Sequence, residues 1–227
     1  MLKILEFQVA QELLKTIKKL LMSLQINSLE DYHKAYQASV ENPSKFWDEI
    51  AEKFFWRKKW TQTLDYNWNV PETKWFLEGK LNITENCLDR HLASKGDQTA
   101  IIWEPNDPKD PAQHITFKQL HSKVCAFANV LRNNGVVKGD RVCVYMPMVA
   151  ELAVAVLACA RIGAIHSVVF AGFSSRALSA RINDAECKVL LTSDGGFRGD
   201  KVTPLKDIAD EALKTCPSIK KSIVFQR

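Results

Sequence analysis

The sequence predicts an α/β fold, a mainly parallel sheet with helices on both faces, preceded by a helical, tryptophan-rich N-terminal subdomain. Two observations carry this. From Thr99 onward, short apolar runs alternate with segments of helical period and crossover length, which is the signature of successive βαβ units. Such crossovers are right-handed, so their helices cover both faces of the sheet. Residues 28 to 80 have a different texture, with five of the six tryptophans (Trp47, Trp56, Trp60, Trp68, Trp75) and few strand-like runs.

The first 24 residues place Ile4, Phe7, Leu13 or Leu14, Ile17 and Leu20 or Leu21 at helical spacing, with Lys15, Lys18 and Lys19 on the polar side. This predicts an amphipathic leader helix over residues 1–27. Charges interrupt it too often for a signal-peptide core or a membrane span, and Glu6 and Glu12 with no arginine argue against a transit peptide. Residues 28–86 read as a subdomain that wraps rather than holds its own core. Ser28 opens a first helix, with Glu30 and Asp31 in its first turn. The NPSKFW turn starts a second, with Pro43 in its first turn and Ser44 as its cap. The stretch from Thr63 to Asn82 reads as irregular, with short extended pieces.

Residues 87–227 carry the regular pattern. TAIIW is a strand and PNDPKDPAQ a loop. Thr116 and Gln119 form a T-x-x-Q capping box before a helix whose apolar face is Leu120, Val124, Phe127 and Leu131. Gly135 ends it, and KGDRVCVYM is turn then strand. ELAVAVLACARIG is apolar enough to be a buried helix, closed by Gly163. AIHSVVF is a strand, SSRALSARINDAE a helix and KVLLTSD a strand. Thr203 then caps a helix with Pro204 at its first position, and SIVF is a last strand. An apolar strand two residues from the chain end is unusual, because it leaves an exposed edge; it gives the expectation of a cut chain.

Composition narrows the function. The 31 basic and 26 acidic residues give a net charge of +5 without a basic stripe, which favours a small anionic ligand over nucleic acid. The densest cluster, Arg57-Lys58-Lys59 between Trp56 and Trp60, reads as a solvated face. No membrane partner is expected, since the longest strongly apolar stretch is Leu152 to Ala160. Six cysteines without a CxxC pair read as buried reduced thiols of a cytoplasmic protein. His91 and His166 read as structural, and no metal-ligand spacing occurs among the five histidines.

Ligands of a parallel sheet bind at the carboxyl ends of its strands, where three loops converge: Met146-Pro147-Met148, Ala171-Gly172-Phe173 and Gly195 to Lys201. Phe170 and Phe173 offer flat apolar surface and Gly172 a close backbone approach, which suit an adenine. Arg198 and Lys201 beside glycine N–H groups suit a phosphate. Each loop alone also reads as a plain turn, with Arg198 paired to Asp194 or Asp200. No G-x-G-x-x-G, P-loop or nucleophile elbow is present, which disfavours a Rossmann oxidoreductase. The residues themselves lead to an adenine-and-phosphate site or a charged turn, and no further.

Longer blocks are more specific. KFW (45–47), KWFLEGKLNITENCLDRHL (74–92), GDQTAIIWE (96–104) and the run from Tyr145 to Ile182 closely resemble the acetyl-CoA synthetase family, the AMP-forming acetate–CoA ligases of the adenylate-forming superfamily. Propionyl-CoA synthetases share much of this pattern. The resemblance implies activation of acetate by ATP and Mg2+ to acetyl-AMP, followed by transfer of the acetyl group to CoA. It assigns residues 28–86 to the N-terminal subdomain and residues 87–227 to part of the AMP-binding domain, cut before the ATP phosphate loop. It further implies that Arg198, Gly199, Asp200 and Lys201 meet the 3′-phosphate of CoA, and that Phe170, Ala171 and Gly172 flank its adenine. Where the family carries R-x-x-R, this chain has Lys201 in the second place, which keeps the charge but loses the planar fork. No catalytic residue and no metal ligand is expected in this chain. ATP, acetate and the catalytic lysine would be held by the missing remainder of the ligase, its expected partner. A stand-alone binding module derived from the same enzyme is the alternative.

Overall fold

The computed structural model describes residues 26–227, apart from the side chain of Arg198. The chain forms two compact units, Met1–Lys80 and Leu81–Arg227. The leader helix expected over residues 1–27 lies almost wholly outside the described residues.

In the first unit, helix α1 (Leu29–Glu41) starts as expected, with the Ser28 hydroxyl oxygen accepting the Asp31 N–H at 3.0 Å. Helix α2 (Pro43–Ala51) is capped by Asn42 rather than Ser44: its side-chain oxygen accepts the Lys45 N–H at 3.0 Å. Pro43 is the reason, because its fixed φ suits the first helical position and biases the preceding residue toward extended backbone, where a cap sits. The stretch read as irregular contains a regular antiparallel hairpin. Strands β1 (Gln62–Asn67) and β2 (Glu72–Leu77) pair from Gln62 opposite Leu77 to Asn67 opposite Glu72. Two of the tryptophans pack inside the unit, while Trp47, Trp68 and Trp75 are exposed. Trp56, Trp60 and Phe76 form a triangle with ring centroids 4.7, 5.3 and 5.4 Å apart. The Trp60 indole N–H lies 2.7 Å from Asp48 Oδ1 and 2.9 Å from Thr63 Oγ1. In the basic triplet, Lys58 and Lys59 pair on the surface with Glu78 and Glu52, consistent with a solvated face.

The second unit opens with short helix α3 (Ile83–Cys87), a 3-10 turn (Asp89–His91) and α4 (Leu92–Lys95). Strand β3 (Thr99–Trp103) pairs antiparallel with β4 (Gln113–Thr116), a strand the sequence does not announce. Helix α5 (Phe117–Asn133) carries the expected capping box in both directions, Gln119 N–H to Thr116 Oγ1 and Thr116 N–H to Gln119 Oε1. There follow β5 (Arg141–Tyr145), α6 (Ala150–Ile162), β6 (Ile165–Val168), α7 (Ser175–Asp184), β7 (Val189–Ser193), β8 (Gly196–Arg198), β9 (Lys201–Thr203), α8 (Leu205–Leu213) and β10 (Lys221–Phe225). Four of these strands form a parallel sheet in the order β10-β7-β5-β6.

Residue alternation splits the core of this unit between the two faces of that sheet. Val142, Val144, Val189 and Leu191 pack with Leu120, Val124 and Leu131 of α5 and Val154 and Ala158 of α6. Cys143, Tyr145 and Leu190 pack with Leu178 and Ile182 of α7 and Leu205 and Ala209 of α8. Strands buried on both faces read as unbroken apolar runs, which is why RVCVY and KVLLT stand out in the sequence.

Two details differ from expectation. Helix α8 begins at Leu205 without a side-chain cap, because Thr203 is held in the β8–β9 ladder opposite Gly196 and Pro204 takes φ −77°, ψ 81°. Of the six cysteines, Cys143, Cys159, Cys187 and Cys216 are buried, but Cys125 is half-buried and Cys87 exposed. Burial pushes the Cys159 thiol up to about 12, so it stays protonated.

Candidate functional site

The carboxyl ends of β5, β6 and β7 lie on one edge of the parallel sheet, with β5 in the middle. Neighbouring strands are about 4.8 Å apart, so the loop after β6 and the loop after β7 are about 10 Å apart at their bases. The segment Met146-Pro147-Met148 lies between them.

The loop after β6 is a compact turn in which the Phe173 N–H donates to the Phe170 carbonyl at 3.0 Å. Phe170 is 65% exposed and meets Phe173 edge-on, with centroids 5.8 Å apart. The Arg181 guanidinium lies 4.7 Å over the Phe173 ring. A Cβ at Gly172 would stand 2.4 Å from Phe170 Cε1, so a larger residue there would push the exposed Phe170 ring aside. The close approach that the sequence suggested for a ligand is made by the chain's own Phe170 ring. Ala171 is half-buried beneath it.

The loop after β7 is not an open glycine nest but a small hairpin. Strands β8 and β9 pair Gly196 with Thr203, Phe197 with Val202 and Arg198 with Lys201, closed by Gly199 and Asp200, with Gly199 at φ 59°. Left-handed backbone at that place suits a two-residue hairpin turn. The Asn106 side chain donates to the Gly199 carbonyl at 3.0 Å and pins the tip. Arg198 and Lys201 therefore occupy directly opposed ladder positions. Like charges at directly opposed ladder positions are destabilising. Lys201 is exposed and makes no ion pair among the described residues, and Asp200 is exposed in the turn between the two cations.

Asp194 anchors the base of the hairpin. Its carboxylate accepts the Gly195 N–H at 2.8 Å and the Arg227 N–H at 3.1 and 3.2 Å, with Ser193 Oγ at 3.2 Å. Desolvation would raise its carboxyl, but these hydrogen bonds prevail and hold it below the ordinary carboxylate range. The Gly195 N–H is thus already taken. The Arg227 guanidinium lies 4.5 Å over the Phe197 ring.

Sequence reasoning missed Tyr145 and Asn106 as parts of this edge, and offered Asp194 only as a partner of Arg198, whereas its carboxylate holds backbone N–H groups. Tyr145 had a signal, a phenol closing an otherwise apolar strand, since a buried phenol needs a partner. Asn106 had none, because its loop meets the hairpin only in three dimensions. Of the two histidines, His91 lies half-buried with its ring 5.4 Å from Phe117, and burial pushes its pKa down. His166 is exposed on strand β6.

The pattern that defines AMP-binding enzymes matches residues 88–227, and that of the acetyl-coenzyme A synthetase N-terminus matches residues 32–87. The chain therefore belongs to the AMP-binding enzyme family. Within that family its relatives are acetyl-coenzyme A synthetases. The one from Alkalilimnicola ehrlichii is 51% identical over 199 residues, covering 87% of this chain and 31% of the relative. The one from Desulfatibacillum aliphaticivorans is 53% identical over 196 residues, covering 86% and 30%. Among solved structures, acetoacetyl-CoA synthetase from Streptomyces lividans superimposes with a TM-score of 0.77 at 27% identity, over 83% of this chain and 29% of that one. The chain thus spans about a third of the length of the proteins it matches.

Proposed function

We propose that the chain is the N-terminal region of an AMP-forming acetate–CoA ligase and contributes part of the site for the 3′-phospho-adenosine end of CoA. The observation that carries this is the pair of opposed cations, Arg198 and Lys201, at the tip of a pinned hairpin, one strand away on either side of β5 from the exposed Phe170 loop. The hairpin takes the 3′-phosphate, with the Gly199–Asp200 turn beneath it, and Phe170, Ala171 and Gly172 flank the adenine.

Under this reading ATP and acetate combine to acetyl-AMP and pyrophosphate, and the CoA thiol then displaces AMP to give acetyl-CoA. These described residues bind and orient CoA; they do not carry the chemistry. Among the described residues no cluster of three or more metal-ligating side chains occurs. The purified 227 residues are expected to show no acetate-dependent ATP–pyrophosphate exchange, and detectable exchange would overturn that. No helix among the described residues is long and apolar enough to cross a membrane, and a cytoplasmic ligase is the proposed setting.

The test is Arg198→Ala in the full-length ligase. A charge-assisted contact is worth about 1.5–3 kcal/mol, so KM for CoA should rise about tenfold or more while KM for ATP and acetate stay put. Equal effects on all three substrates would make Arg198 a structural residue.

A further inference from the structure

Tyr145 is the last residue of β5, fully buried and packed among Cys143, Leu178 and Leu190. A phenol so placed must spend its hydroxyl proton inside the protein. It donates to the Phe173 carbonyl at 2.8 Å, with the Ala171 carbonyl at 3.4 Å. Both acceptors belong to the Phe170–Phe173 turn, whose own closure is the Phe173 N–H bond to the Phe170 carbonyl. Burial raises the phenol's pKa, which keeps it a donor. Two residues further on, Pro147 supports the other half of the edge: a Cβ at Gly196 would lie 3.2 Å from Pro147 Cβ. The end of β5 thus touches the aromatic turn through Tyr145 and the base of the basic hairpin through Pro147.

We infer that Tyr145 is a positioning residue for the CoA adenine, tying the Phe170–Phe173 turn to the central strand at the spacing the basic hairpin requires. This rests on the CoA reading above. Tyr145 never meets the ligand; it fixes where Phe170 and Gly172 present themselves relative to Arg198 and Lys201. Its hydroxyl is the removable part, since the ring fills the core whether or not the oxygen is there.

The experiment uses Tyr145→Phe in the whole chain, with three readings: thermal stability, amide hydrogen exchange at Phe173, and titration with CoA and with dephospho-CoA, which lacks the 3′-phosphate. The expected result is faster Phe173 exchange and both ligands weakened by the same factor, about three- to tenfold. The remaining amides of β5 and α7 should keep their protection. Lys201→Ala run alongside should weaken CoA and spare dephospho-CoA, which separates the two halves of the site. Unchanged exchange with unchanged affinities overturns the role of Tyr145. Loss of protection throughout the sheet also overturns it, as a general packing effect. If the unaltered chain binds neither ligand while Tyr145→Phe speeds Phe173 exchange, the CoA reading falls, and with it the positioning role. The tether alone would then stand.

Discussion

At the amino ends of β5 and β7, Arg141 donates to the Ala185 and Glu186 carbonyls and pairs with the Glu186 carboxylate, while Lys188 joins Asp140 at 3.0 Å and the Gly135 carbonyl at 2.8 Å. Close by, Arg161 at the end of α6 grips Asp89 with two hydrogen bonds of 2.8 and 2.9 Å. At the carboxyl ends of the same strands the arrangement is reversed. There the acid, Asp194, is consumed by backbone N–H groups, and the cation, Lys201, is exposed without a protein partner among the described residues. Charge at the amino edge is paired within the fold, whereas the exposed Lys201 at the carboxyl edge is the cation that the proposed CoA reading uses. The contrast separates residues whose loss should cost stability from residues whose loss should cost binding.

The largest effect expected is at the amino edge. Asp89→Ala leaves the partly buried Arg161 guanidinium without its fork partner, and chemical denaturation should show a loss of about 2–3 kcal/mol with CoA affinity untouched. A change in CoA affinity at unchanged stability would break the division between the two edges. Gly163→Ala should cost about 1–2 kcal/mol, because Gly163 closes α6 at φ 76°, a backbone region that a Cβ disfavours. The same denaturation measurement checks it.

Acid should act on the same edge. The Arg161 hydrogen bonds, above all, hold the Asp89 carboxyl below its ordinary value of 3.8, and the Val137 N–H does so first for Asp140. Folded pKa values below unfolded ones mean stability that is complete above about pH 4 and is lost as pH falls through the folded values. Thermal melts should therefore fall steeply below about pH 4, and Asp89→Asn should flatten that part of the profile. The smallest effect sharpens the other edge. Lys201→Arg restores a planar fork opposite Arg198 and should tighten CoA by about threefold, visible by titration, with no change in the melting temperature.

The parts of the fold that were legible in the sequence are those governed by local rules. The Thr116/Gln119 box, the Gly163 stop and the unbroken apolar strands β5 and β7 each carry their cause within a few residues. Two proline signals show where that runs out. Asn42-Pro43 obeys the local rule and caps α2. Thr203-Pro204 shows the same signal, yet pairing of Thr203 with Gly196 overrides it. The β1–β2 hairpin escaped notice because its strands are mostly exposed and barely alternate, and β4 because it is four residues long and defined only by its partner β3. At the candidate site, Arg198, Lys201 and Phe170 were visible as residue types. The Asn106 pin and the Tyr145 tether were not, since each depends on contacts across 26 or more residues of chain. The hairpin that opposes the cations is local, but its two strands are only three residues each, too short to show an apolar alternation.

The central claim is that the tip of the β8–β9 hairpin recognises the phosphate that distinguishes CoA from dephospho-CoA. The direct measurement is calorimetric titration of both ligands into the purified chain and into its Arg198→Ala form. The account predicts that CoA binds about tenfold or more tightly than dephospho-CoA and that Arg198→Ala narrows the difference while leaving dephospho-CoA affinity unchanged. Equal affinity of the unaltered chain for the two ligands would contradict it.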